Sequence, residues 1–211
     1  AGHGSGLGSP VVHNSQNVGA NLMEHPGVYV KAFTRLPSFN RAGRPLRTPF
    51  VLLSWLLRGR GAAAVGTTVA QLLTRSDPQE PAHDLQVLLS LVHFGINASG
   101  DGVKLSPRDG ISMACCLMLP QSRGRVQLTS ADPTVPPRVQ HTMFEAEDDL
   151  HRLTLAAKQA LALLKTEPLA NVIDDIEFPL PEDAAQDEWH NFVRQTAFRG
   201  DHPSGTCRMG S

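Results

Sequence analysis

The chain reads as an α+β protein with a largely antiparallel sheet of about five or six strands and helices packed on one side. Three observations predict this class. Short apolar stretches bounded by Pro, Gly, Asp and Ser clusters recur over the first 130 residues, as strands in a turn-rich sheet do. Apolar residues stepping by three and four dominate only from about residue 145 onward, which is the helical period. Helices that mostly follow the strands, rather than alternating with them, argue against a parallel α/β sheet.

Each element has its own signal. "GVYVKAF" (27 to 33) is rich in β-branched and aromatic residues and predicts a strand. "RTPFVLLSWLLRG" has helical length and ends on Gly59, as a C-cap would. "TTVAQLL" (67 to 73), "DLQVLLSLVHF" (84 to 94), "ISMACCLML" (111 to 119) and "GRVQLTS" (124 to 130) are further strand candidates. "SADPTVPP" (130 to 137) predicts an extended connector, because the residue before each proline is pushed out of the helical region. Leu150, Leu153, Ala157, Leu161 and Leu164 then define an amphipathic helix, with Asp148, Asp149, Arg152, Lys158 and Lys165 mostly off that stripe. Trp189, Phe192, Val193 and Thr196 signal a second helix, preceded by Glu182, Asp183, Asp187 and Glu188, which suit the positive end of a helix dipole.

Bulk composition narrows the function. At 211 residues, 41% apolar and 18% charged, the chain suits one packed core. Nineteen Lys and Arg against 20 Asp and Glu leave no overall electrostatic footprint for nucleic acid or an anionic membrane. Three cysteines, 115, 116 and 207, cannot build a disulfide framework, so a reducing, cytoplasmic setting is expected, with at most peripheral membrane contact. No apolar run approaches the roughly 20 residues of a membrane span.

The start, "AGHGSGLGSP", lacks the basic and apolar regions of a secretory signal. Residues 1–9 read as a terminal loop or a truncation scar. Their glycines do not fit G-x-G-x-x-G, since the third required position falls on Leu7, Ser9 or Val11.

His202 is the leading candidate for chemistry. It sits on a loop, just before Pro203 and following a predicted helix, and an imidazole near pKa 6.5 takes a proton from a hydroxyl at neutral pH. Cys207 beside Arg208 is a weaker nucleophile candidate, with no Gly-x-Ser-x-Gly elbow or Cys, His, Asn signature. His202 and Cys207 with Cys115 and Cys116 lack the C-x-x-C spacing of zinc sites, so no metal is expected.

Three ordered motifs carry a resemblance. "HPSGTCRMG" (202 to 210) resembles the segment around the catalytic histidine of the glucose-methanol-choline (GMC) flavin oxidoreductases. "PVVHNSQNVGANLMEHPGVYV" (10 to 30) is similar to that family's Pro-Val-Val and Val-Gly-x-Asn-Leu-x-Asp-His segment, with Glu24 where aspartate is usual and Met23 where glutamine is usual. "PQSRGRVQLTSADPTVPP" (120 to 137) resembles its Pro-x-Ser-Arg-Gly-x-Val-x-Leu stretch. The resemblance implies a GMC substrate-binding region over 10–211, a base at His202, and Asn21 and His25 in a segment passing close to FAD.

It also implies that the FAD-binding Rossmann domain is missing, as is a second active-site residue beyond the His-Pro motif. The expected substrate is a small alcohol, choline-like or aliphatic, oxidised to an aldehyde. Trp55, Tyr29 and Phe94 are the rings offered for a cation cage in an otherwise aromatic-poor chain. Alone, such a chain is expected to be inactive and to self-associate, or to await its flavin domain or a partner chain. The rival expectation is a non-catalytic domain that performs no redox step.

Overall fold

The computed structural model describes residues 13, 15–96, 102–181 and 183–209. The glycine-rich start, Pro10 to Val12 of the first motif, Glu182 and Gly210 lie outside the described residues.

A six-stranded antiparallel sheet organises the chain, in the order β10-β1-β6-β3-β2. β1 (Pro26–Thr34) pairs along its length with β6 (Gly110–Leu117), and β6 pairs onward with β3 (Leu85–Ser90), which pairs with β2 (Thr68–Thr74). The free side of β1 is shared. β10 (Phe198–Arg199) takes its first two residues, and β9 (Ile173–Glu177) takes Lys31 to Thr34.

Two small hairpins lie outside this sheet: β4 (Phe94–Ile96) with β5 (Val103–Leu105), and β7 (Arg125–Gln127) with β8 (Arg138–Gln140). The sheet has the expected class and size, with a different membership. The predicted strand at 124 to 130 is shortened and pairs across the proline connector, while β9 and β10 complete the sheet. The predicted strand at 84 to 94 divides into β3 and the start of β4.

Strand alternation separates two faces. Val28, Val30 and Ala32 of β1 face the core, with Ile111, Met113, Cys115 and Leu117 of β6 and Leu85 and Val87 of β3. Helix α2 (Glu147–Leu164) covers this face with Leu150, Leu153, Ala156, Ala157, Ala160 and Leu164. Its alanines let the helix axis approach the strands closely. Helix α3 (Gln186–Thr196) packs beside α2 through Trp189 and Val193.

Two charged residues of α2 are buried rather than solvated. Arg152 donates from Nε to Asp84 Oδ2 at 2.9 Å and from Nη1 to Leu119 O at 3.1 Å. Asp149 accepts from Gln121 N at 2.7 Å and Ser122 N at 2.8 Å. Burial pushes the Asp84 carboxyl up, but hydrogen bonds from Ser76 and Arg152 together with the Arg152 charge outweigh it and hold the pKa below the usual range.

Helix α1 (Thr48–Arg58) has no buried residue and substantial contact only with the turn Ala62–Ala64. The side of the sheet opposite α2 carries Tyr29, Lys31 and Phe33 of β1.

Candidate functional site

The two ends of the described chain are zipped together. Gly200 N donates to His25 O at 2.8 Å, Met23 and Ser204 exchange backbone bonds at 2.9 and 3.0 Å, and Gly19 N donates to Thr206 O at 2.9 Å. These bonds run Gly19 to His25 antiparallel to Gly200 to Thr206, continuing the β1 and β10 pairing beyond the sheet.

Local sequence permits the close approach. Gly205 has φ +89°, and a Cβ there would lie 2.2 Å from Asn21 O. Asn21 and Asp201 adopt positive φ of 60° and 59°, a region that these two residue types tolerate better than most. Pro203 keeps His202 out of the helical region, so the loop leaves β10 extended.

This zipper brings His25 and His202 edge to face, with ring centroids 5.4 Å apart and Nδ1 to Nδ1 at 3.4 Å. Beneath them lies Glu24, 93% removed from solvent by its 7% exposure. One oxygen, Oε1, accepts from His25 N at 2.8 Å and from His202 N at 2.9 Å. Glu24 therefore ties both histidine backbones to one atom. In the sequence Glu24 stands out only as a replacement for aspartate, and its signal is a carboxylate directly beside His25.

Burial lowers the pKa of His25, repulsion from a protonated His202 lowers it further, and Glu24 partly opposes both. Both effects disfavour the protonated form of His25, whose Nδ1 lies within hydrogen-bond reach of His202 Nδ1.

The structure brings His25 and His202 together and sets Asn21 in the same zipper, its Nδ2 3.5 Å from Asn17 Oδ1. Cys207 is exposed, and Arg208 turns away to Asn17 Oδ1 at 3.2 Å. All three cysteines are free. Cys116 faces the side of Gly27, where burial and then the nearby Glu24 charge push its thiol up to about 11. Among the described residues no group of three His, Cys, Asp or Glu side chains is placed to hold a metal.

A cavity of about 780 Å³ opens farther along β1, at Tyr29 and Lys31. Tyr29, Phe94, Phe178, Phe192 and Phe198 line it, with Lys31 and Glu177 at its edge. Phe198 stacks on Tyr29 at 4.3 Å, and Phe94 meets Tyr29 edge-on at 5.0 Å. A Cβ at 27 would lie 2.4 Å from the Phe198 ring, so any larger residue there must displace that ring. That ring thus spans the step on β1 between His25 and Tyr29. Glu177 is held by Lys31 Nζ at 2.6 Å, with His93 Nε2 at 3.4 Å.

Of the three rings offered by the sequence, Tyr29 and Phe94 meet here, whereas Trp55 lies on α1 and does not line the cavity. Phe178, Phe192 and Phe198 were missed because they reach the cavity from three separate elements.

Residues 120–211 match the C-terminal family of the GMC oxidoreductases. The chain is 30% identical, over 97% of its length, to the oxygen-dependent choline dehydrogenase of Chromohalobacter salexigens and to the mitochondrial choline dehydrogenase of Homo sapiens, covering 36% and 34% of those proteins. It is 27% identical over 96% of its length to the alcohol dehydrogenase [acceptor] of Pseudomonas putida, again covering 36% of that protein.

The fold matches a crystal structure of formate oxidase with a TM-score of 0.83 at 18% identity, over 97% of this chain and 40% of that one. The chain thus spans about a third of the length of the curated relatives it matches.

Proposed function

We propose that this chain is the substrate-side region of an FAD-dependent GMC oxidoreductase that oxidises an alcohol to an aldehyde, with His202 as the base. The observation that carries the reading is the His25, His202 and Glu24 junction, linked to the aromatic cavity through β1 and the Phe198 ring. Glu24 holds the His202 backbone, and Nδ1 of His202 is engaged with His25. Nε2 of His202 is then the ring atom left to take a substrate hydroxyl proton. A base so placed is worth about 10²- to 10⁴-fold in rate.

The residues fit the polar edge of a flavin. Asn21 offers an amide, the two imidazoles offer ring nitrogens, and the carboxylate below them, Glu24, is buried with one oxygen engaged by two backbone donors. When bound, FAD supplies the hydride acceptor. Asn21 and His25 would hold it from this side, and the rest of its binding groups would lie outside this chain. The cavity takes the body of the alcohol. Glu177, neutralised by Lys31, gives it no net anionic wall, which favours an uncharged alcohol over a quaternary ammonium.

The test has two arms. FAD titrated into the chain alone is expected to show no stoichiometric binding; tight binding would overturn the division of labour. With a flavin-binding part fused, alcohol-driven bleaching of the flavin is expected to slow by about 10²-fold or more in His202→Ala. Equal rates in wild type and variant would remove His202 from the role.

A further inference from the structure

We propose that α1 is a surface helix that lays its apolar side into the headgroup region of an anionic lipid bilayer. The helix TPFVLLSWLLR contributes nothing to the core. Phe50, Leu52, Leu53, Trp55, Leu56 and Leu57 are all exposed, Leu56 at 74%, and Leu46 just ahead of the helix is 88% exposed. Contiguous exposed apolar surface of this kind marks an interaction site.

The charge around it identifies the occupant. From residue 35 to 76 the sequence holds seven arginines, at 35, 41, 44, 47, 58, 60 and 75, and no aspartate or glutamate, although the whole chain carries a net charge of only −1. The overall balance hides this local segregation. Arg41 is paired with Asp109 and Arg35 with Asp174. Arg47, Arg58 and Arg60, which bracket the helix, are exposed and form no ion pair among the described residues.

An apolar helix with arginines at both ends and a tryptophan on its exposed side has the composition of an interfacial helix. Eleven residues rise only about 16 Å, half of what a bilayer core needs. No helix among the described residues is long and apolar enough to cross a membrane. A second copy fits less well. Antiparallel self-pairing of α1 would set Arg47 of one copy against Arg58 and Arg60 of the other, with no carboxylate in this segment to separate them.

Trp55 reports on the proposal directly. The chain has two tryptophans, and Trp189→Phe leaves Trp55 as the sole emitter. The variant is titrated with vesicles of phosphatidylcholine alone and with one-third phosphatidylglycerol. The expected result is a blue shift of Trp55, and quenching by brominated lipid, at least tenfold tighter on the anionic vesicles. Replacing Arg47, Arg58 or Arg60 by Gln should weaken binding about fivefold each.

Since α1 buries nothing, Leu56→Gln should retain the circular dichroism of the parent and lose vesicle binding. No shift on either lipid would overturn the proposal, as would an equal shift on both. A blue shift that appears on raising protein concentration without lipid would overturn it and assign the face to a second copy, and loss of vesicle binding once a flavin-binding part is fused would overturn it and assign the face to that part.

Discussion

The two faces of the main sheet are built from the same strands, yet they do different work. On one face Val28, Val30 and Ala32 are sealed beneath α2. On the other, one residue out of phase, His25, Gly27, Tyr29 and Lys31 look toward the junction and the cavity. The sealed face is held by burial plus one ion pair. The open face is held by backbone zippering and ring stacking, and leaves its polar groups available. Sealed packing and accessible polar groups are thus separated by strand period, and substitutions on either face should report different things.

The largest effect belongs to the sealed face. Arg152→Ala strands the fully buried Asp84 with Ser76 as its remaining side-chain donor, and breaking such a pair costs about 3–5 kcal/mol. Urea denaturation measures it. A loss below about 1 kcal/mol would show that water replaces the guanidinium, and the sealed face would not be as dry as described.

On the open side, Glu24→Ala removes the acceptor for two backbone amides, each worth about 1–3 kcal/mol when left unsatisfied. Proteolysis of the chain end after Gly200 should rise with it, because the same oxygen anchors the His202 loop. Unchanged cleavage would mean that the zipper alone places that loop. Gly27→Ala is expected to cost about 1–3 kcal/mol by overpacking, because the new Cβ meets the Phe198 ring. Phe198→Leu in the same chain should recover part of it. No recovery would place the strain in the backbone, and not in the ring.

Sequence made the sealed face legible and the open face only partly so. Leu150, Leu153, Ala157 and Leu164 show the helical period and all lie in the core, because burying apolar surface is what that period encodes. Arg152 and Asp149 break the pattern, since their burial depends on loop amides and on Asp84 supplied from distant positions. β9 and β10 were illegible for a related reason. "IDDIE" and "FR" have no strand period of their own and are strands because β1 offers them an edge.

His202, His25 and Asn21 stand out in the sequence through their motifs, and the structure sets them in one zipper. Glu24 and Phe198 acquire meaning only once that zipper is closed.

The smallest predicted effect tests whether the histidine pair is as tight as its geometry. Burial, then the neighbouring His202, holds His25 below the usual 6.5, so the unfolded chain binds more protons than the folded one just below that pH. Stability contributed by His25 is therefore complete above about pH 6.5 and is lost as pH falls through its lower folded value. His25→Gln should flatten that part of the stability curve while leaving the part due to His93 and His190, which burial also holds low. Denaturation midpoints of parent and variant compared between pH 7.5 and 5 would show it. Parallel curves would mean that His25 takes its proton freely when folded, and that in solution it is less buried and farther from His202 than the 3.4 Å between their Nδ1 atoms.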